Sequence, residues 1–112
     1  MIKNIKMDLP QEDWKSKLEA DDNAFLLDVR TLQEFEAGHI TNASLLDIYQ
    51  SREFIEGIKS FDSSKNYYVY CRSGVRSGQA CKLMNQIGIS KTYNLLGGFM
   101  EWVGESSKIC LL

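Results

Sequence analysis

Tyr67-Tyr68-Val69-Tyr70-Cys71-Arg72-Ser73-Gly74-Val75-Arg76-Ser77-Gly78 is the stretch on which the reading of this chain turns. It opens on a β-branched and aromatic run, the composition of a strand. It then reaches one cysteine, followed by a loop of small residues with two arginines and no acid. A helical pattern follows over residues 79–87, where Ala80, Leu83, Met84 and Ile87 recur at i, i+3, i+4 and i+7 and predict an apolar face. Strand, loop and helix in that order set Cys71 at a strand's carboxyl end, over a helix amino-terminus.

That is a position suited to an anion. The first amides of a helix have no internal partners, and the helix dipole leaves partial positive charge there. Gly74 lets the backbone curl so that several N–H groups point inward. Arg72 and Arg76 add full positive charge. Together these groups favour thiolate over thiol, and they can also bind an anionic substrate or stabilise charge on a transferred atom. A buried structural cysteine beside solvated arginines is the plainer alternative. The coincidence of strand, loop, charges and helix favours an anion-binding, reactive cysteine.

Working outward, the 112 residues suit one compact domain over 1–112, with a core at about 5–103 and a tail at 104–112 whose role is not readable. The composition, 44% hydrophobic and 25% charged, is that of a globular chain. A formal charge of −2 argues against generic binding to nucleic acid or to acidic membrane surfaces. No segment is long enough to span a bilayer, and residues 1–8 lack the apolar run of a secretory signal, so a cytoplasmic location is expected. Cys71, Cys81 and Cys110 show no CxxC pairing and have one histidine to help them, which argues against a closed structural zinc site. Cys81 reads as a small core or boundary residue at the flank of the helical face.

Upstream, a short strand is expected at residues 2–5. Leu9-Pro10-Gln11-Glu12-Asp13-Trp14 opens a helix with proline and acids in its first turn. Trp14 and Leu18 share a face of that helix, and Asp21-Asp22-Asn23 ends it. Phe25-Leu26-Leu27-Asp28-Val29 is a nearly continuous apolar run, as in a strand buried on both faces. Thr31-Leu32-Gln33-Glu34 is a capping box for a short helix through Phe35. Asp28 and Arg30 then sit at a strand end near Glu34, as an ion pair that orients loops. Gly38-His39-Ile40 turns into a brief strand at residues 43–46, and residues 50–60 form a helix with Phe54, Ile55 and Ile58 on one side. Downstream, Gly88 caps a helix, residues 92–95 form a last strand, and Gly97-Gly98 leads into a helix through Trp102. Those paired glycines serve a tight turn, a close backbone approach to the cysteine loop, or both. Strands alternating with helices imply an α/β fold whose parallel sheet is covered on both faces, with ligands at the strands' carboxyl ends.

The chain resembles a rhodanese domain, a single-domain sulfurtransferase of the thiosulfate sulfurtransferase type. The matching pieces are Leu27-Asp28-Val29-Arg30, Glu34-Phe35 with Gly38-His39-Ile40, Cys71-Arg72-Ser73-Gly74-Val75-Arg76-Ser77, and Leu96-Gly97-Gly98-Phe99 with Trp102. They run in family order from about residue 25 to 102. The resemblance implies the rhodanese-like three-layer fold, a central parallel sheet of about five strands with helices on both faces. It also implies a two-step transfer, in which Cys71 takes the outer sulfur of a small anionic donor as a persulfide. Cyanide or a thiol then accepts that sulfur, with a sulfur-relay protein as a further kind of partner. Arg72, Ser73, Gly74, Val75, Arg76 and Ser77 become the substrate-binding loop, and no metal or organic cofactor is implied.

Several alternatives stand beside this reading. A noncatalytic rhodanese module is disfavoured because the cysteine and its loop are intact, whereas a partner-dependent persulfide carrier differs only in who supplies and receives the sulfur. Cysteine phosphatases and arsenate reductases related to the family carry one more loop residue than the six from Cys71 to Arg76. His39 suggests a Cys–His dyad, but the loop can supply the thiolate without a base, and the resemblance makes it a turn residue. The family usually continues that turn with proline and glycine, where Thr41-Asn42 stand here; asparagine tolerates the left-handed conformation. Cys81 or Cys110 could resolve a persulfide as a disulfide, although nothing in the sequence fixes the distance.

Overall fold

Apolar runs become strands and amphipathic runs become helices in close to the expected order. The computed structural model describes residues 7–108, so the strand expected at 2–5 and Cys110 lie outside the described residues. In chain order the elements are β1 (Asp8–Leu9), α1 (Gln11–Glu19), β2 (Ala24–Asp28), α2 (Leu32–Ala37), β3 (His39–Ile40), β4 (Ser44–Leu45), α3 (Ser51–Lys59), β5 (Asn66–Tyr70), α4 (Val75–Gln86), β6 (Thr92–Leu95), a 3-10 turn (Phe99–Glu101) and β7 (Ser106–Ser107). Five strands form one sheet in the order β1-β6-β5-β2-β4, with every pairing parallel. The three-layer α/β expectation holds.

Period-2 alternation in β5 divides the core. Val69, Tyr67 and the following Cys71 face Phe54 and Ile58 of α3 and Ala80, Cys81 and Met84 of α4. Tyr68 and Tyr70 face the other way, onto Trp14 of α1 with Ile40 and Leu95. Trp14 is fully buried, edge-on to Tyr68, Tyr70 and Trp102, and its indole N–H donates to the Tyr93 carbonyl at 3.0 Å. A strand buried on both sides has no room for alternating charged residues, and β5 accordingly carries aromatic or β-branched residues on both faces.

The strand order fixes where a ligand can sit. The chain leaves β2 toward the edge strand β4, and leaves β5 the other way, toward β6. The carboxyl ends of β2 and β5 therefore flank the topological switch point, where loops diverge and leave a crevice. Cys71 follows β5 directly into that crevice, and Arg30 follows β2 by two residues.

Three expectations change. Helix α4 starts at Val75 rather than near Gln79, and its buried residues are Ser77, Ala80, Cys81 and Met84. The expected face is rotated: Ala80 and Met84 are buried as expected and Leu83 packs at its margin, while Ser77 and Cys81 join the centre and Ile87 does not. Leu83 is half-buried and Ile87 is 42% exposed, because the helix turns its smallest residues toward the sheet. Cys81 thus belongs to the centre of the core rather than to its flank. Residues 105–107 also return to the body: β7 pairs antiparallel with β3, and the Thr41 amide donates to the Glu105 carbonyl at 3.3 Å. Asn42 adopts φ 78°, the left-handed conformation that asparagine tolerates in a turn.

Candidate active site

Strand β5 delivers Cys71 to the crevice, where the residue is only 1% exposed. The chain then curls through Arg72 and Ser73 to Gly74, whose φ of +108° lies in the left-handed region and starts α4. This curl turns donors onto the sulfur. The Gly74 amide lies 3.1 Å from Sγ and the Ser77 hydroxyl 3.3 Å away. Burial works against a thiolate here, but the Ser77 hydroxyl and the amides of Ser77, Gly74 and Ser73 outweigh it, so the Cys71 thiol is shifted below its ordinary range.

The glycine pair braces the loop from the opposite side. The Phe99 amide donates to the Cys71 carbonyl at 2.8 Å, and the Met100 amide to the Arg72 carbonyl at 3.1 Å. Such contacts bring backbone against backbone: a Cβ on Gly98 would stand 2.6 Å from the Ser73 nitrogen, closer than atoms can pack. Gly97 and Gly98 have φ of 82° and 59°, so both expected uses of the pair are present.

The two loop arginines occupy different environments. Arg76 is clamped by Glu34 through two bonds of 2.8 and 2.9 Å, and its guanidinium lies over the Tyr49 ring. Glu34 also closes the capping box of α2 with Thr31. The hydrogen bonds from Arg76 draw the Glu34 carboxyl down to about 2, burial opposing, and Arg76 is in turn pushed up. Arg72 is exposed and, among the described residues, has no ion pair. Beside it lies a cleft of about 230 Å³, lined also by Arg30, Glu34, Phe99 and Met100. The Val75 side chain, first in α4, stands 70% exposed.

Asp28 and Arg30 form a buried pair at 2.7 Å, as the sequence led one to expect. Arg30 also donates to the Gly38 carbonyl at 2.6 Å and lies over the Phe99 ring at 4.7 Å. His39 stacks on Phe35 with ring centroids 3.7 Å apart, and its Nδ1 binds the Phe35 carbonyl. That geometry makes it a turn residue. Cys81 is fully buried, and burial pushes its thiol up to about 12, which disfavours the thiolate that disulfide formation needs. Sequence reasoning missed Asn94 and Asp8. Asn94 projects from β6 beneath the loop, where it bonds Ser77, Gly74 and Asp8. The one signal it leaves is an asparagine inside a short strand whose other residues are β-branched, aromatic or aliphatic. Among the described residues there is no cluster of three or more metal-ligating side chains, and no helix long and apolar enough to cross a membrane.

The chain as a whole is similar to known proteins. The rhodanese-like domain model matches residues 11–105. The protein YtwF of Bacillus subtilis is 38% identical over 92 residues, covering 82% of this chain and 85% of YtwF. A sulfurtransferase of Allochromatium vinosum is 30% identical over 95 residues, covering 85% and 86%. The crystal structure of a rhodanese-like domain protein from Staphylococcus aureus superposes with a TM-score of 0.75 at 30% identity, over 90% of this chain and 94% of that one. With the fold, the cysteine loop and these likenesses in agreement, the chain belongs to the rhodanese-like domain family of sulfurtransferases.

Proposed function

We propose that the protein transfers sulfane sulfur through a persulfide on Cys71. The carrying observation is the set of donors converging on Sγ, from the Gly74 amide at 3.1 Å and the Ser77 hydroxyl at 3.3 Å. The Cys71 thiolate attacks the outer sulfur of a donor such as thiosulfate. The S–S bond of the donor breaks, sulfite leaves with the electron pair, and a Cys71 persulfide remains. An acceptor thiolate or cyanide then attacks the outer sulfur, and Cys71 departs as thiolate. The loop amides stabilise negative charge on the sulfur at both stages. Arg72, free of an ion pair among the described residues, draws in the anionic donor, while Arg76 holds the loop to Glu34. Val75 shapes the mouth. The six-residue loop, one short of the phosphatase and arsenate reductase length, favours a single transferred sulfur over a tetrahedral oxyanion.

A partner-borne sulfur is the second reading, and one observation favours it. Leu32, Tyr49, Val75, Leu96 and Met100 are all large, apolar and exposed, and each follows the carboxyl end of β2, β4, β5 or β6. Exposed hydrophobics scattered singly need no explanation; a set sharing one edge with the cysteine fits a protein surface.

Intact-protein mass spectrometry with peptide mapping after thiosulfate treatment tests the reaction. The expected result is one added sulfur on Cys71, lost on adding cyanide. Cys71→Ser should fold and take up none. Uptake by the serine variant, or sulfur mapped to another cysteine, sinks the assignment. Sulfur accepted from a persulfidated protein but not from thiosulfate selects the partner-borne reading.

A further inference from the structure

We propose that Asn94 is a positioning residue that tempers Cys71, by competing with its sulfur for the single proton of the Ser77 hydroxyl. The inference begins with the orientation of a buried amide. Asn94 is 3% exposed, and its Nδ2 lies 2.9 Å from an Asp8 carboxylate oxygen and 3.1 Å from the Gly74 carbonyl. Both partners are acceptors, so the NH2 group must face them and the amide can take only this orientation. The side-chain carbonyl is thereby aimed at the Ser77 hydroxyl, with which it makes a short hydrogen bond.

Ser77 Oγ has one proton and two acceptors. One is Asn94 Oδ1 and the other is Cys71 Sγ, 3.3 Å away. Ser77 is fully buried, so no bulk water replaces whichever bond is given up. With Cys71 as thiol, the hydroxyl donates to Asn94, and its oxygen is left to accept the weak S–H donor. With Cys71 as thiolate, the sulfur needs a donor, and the hydroxyl must turn toward it. Asn94 Oδ1 then loses its partner inside the protein, and the cost of that loss falls on the thiolate form.

The Gly74 amide does not depend on Asn94 in the same way. The Gly74 carbonyl also accepts the Gly78 amide at 3.1 Å, so the first turn of α4 holds that residue independently. Asn94 therefore acts on the sulfur mainly through Ser77. For a sulfur nucleophile the consequence is useful: intrinsic nucleophilicity falls as the thiol becomes more acidic, and the best attacker has a pKa near ambient pH. A cradle of donors alone would make a stable but sluggish thiolate, and Asn94 offsets part of that. This consequence rests on Cys71 being the sulfur nucleophile, whereas the proton competition does not.

The test is the pH dependence of Cys71 alkylation by iodoacetamide in the full chain, followed by peptide mapping. Asn94→Ala should move the midpoint to lower pH, so that alkylation below the wild-type midpoint is several-fold faster. Ser77→Ala should move it to higher pH, and adding Asn94→Ala to Ser77→Ala should move it no further. An unchanged or raised midpoint in Asn94→Ala overturns the proposal. So does an equal shift with and without the Ser77 hydroxyl, which is what a merely structural role produces. If Asn94→Ala does not fold, Asn94→Leu replaces it at similar volume. The wild-type chain supplies a further readout: the Asn94 side-chain carbonyl 13C shift should titrate with the Cys71 midpoint, and a flat shift overturns the proposal. None of these measurements uses a sulfur donor, so failure of sulfur transfer is seen separately.

Discussion

Glu34 serves two structures at once. Its carboxylate closes the capping box over Thr31 and clamps Arg76 of the cysteine loop, at side-chain exposures of 28% and 17%. The hydrogen bonds from Arg76 hold its carboxyl at about 2, against an ordinary 4.5, with burial opposing. Because the folded-state value lies below the unfolded one, the stabilisation is complete above pH 4.5 and is lost as pH falls through about 2. Glu34→Gln keeps a capping-box side chain, since glutamine serves at that helix position, and removes the charge facing Arg76 together with one of the two oxygens that accept from it. The expected loss at neutral pH is about 1 kcal/mol, the scale of a partly exposed ion pair. Urea unfolding of variant and wild type between pH 7 and pH 2 should show the gap steady at the upper end and closing below pH 4.5. A gap that persists at pH 2 would mean that Glu34 acts by shape and not by charge.

At the scale of elements, the cysteine loop depends on a segment more than twenty residues further along. Gly98 has φ 59°, and a Cβ there would collide with the Arg72–Ser73 backbone. Gly98→Ala should lower stability by about 1–3 kcal/mol from conformation alone. It should also push the loop off its position and cut persulfide formation from thiosulfate, measured per folded molecule by mass spectrometry. Undiminished persulfide formation would detach the glycine pair from the site. This contact was half legible in the sequence, because two adjacent glycines after a strand announce either a tight turn or a close approach. Other local signals were read in full: the Thr31–Glu34 capping box, the Gly74 curl and the strand composition of β5 each lie within a few residues. The phase of α4 was not legible. Hydrophobicity selects Leu83 and Ile87, but the close packing of helix on sheet selects small residues, and so Ser77 and Cys81 face inward. Asn94 reaches Ser77 and Gly74 from β6, and Asp8 of β1 accepts from Asn94 in turn; no local pattern marks hydrogen bonds between residues so far apart in the chain. Strand β7 carries two exposed serines and had no apolar signal to give it away.

At the scale of the whole molecule, the strand order opens a crevice between β2 and β5, and something must keep its walls in register. The Asp28–Arg30 pair does so. Asp28 ends β2 and is fully buried, and Arg30 carries the connection onward to the Gly38 carbonyl, the Phe99 ring at 4.7 Å and the Tyr70 ring at 5.6 Å. One guanidinium thus touches the end of β2, the turn after α2, the end of β5 and the 3-10 turn that braces the Cys71 loop. Desolvating both charges is costly, so the pair contributes little over a well-packed apolar substitute. Breaking it is another matter, because Asp28 would remain buried without its partner. Arg30→Ala should therefore lose about 3–5 kcal/mol in urea unfolding. Removing both charges as Asp28→Asn with Arg30→Met should recover part of that loss, since no uncompensated charge is left. Because the recovered stability does not restore the contacts to Gly38 and Phe99, the double variant should still form persulfide more slowly than wild type. Full recovery of persulfide formation would show that the pair fastens the sheet alone and leaves the crevice to its loops.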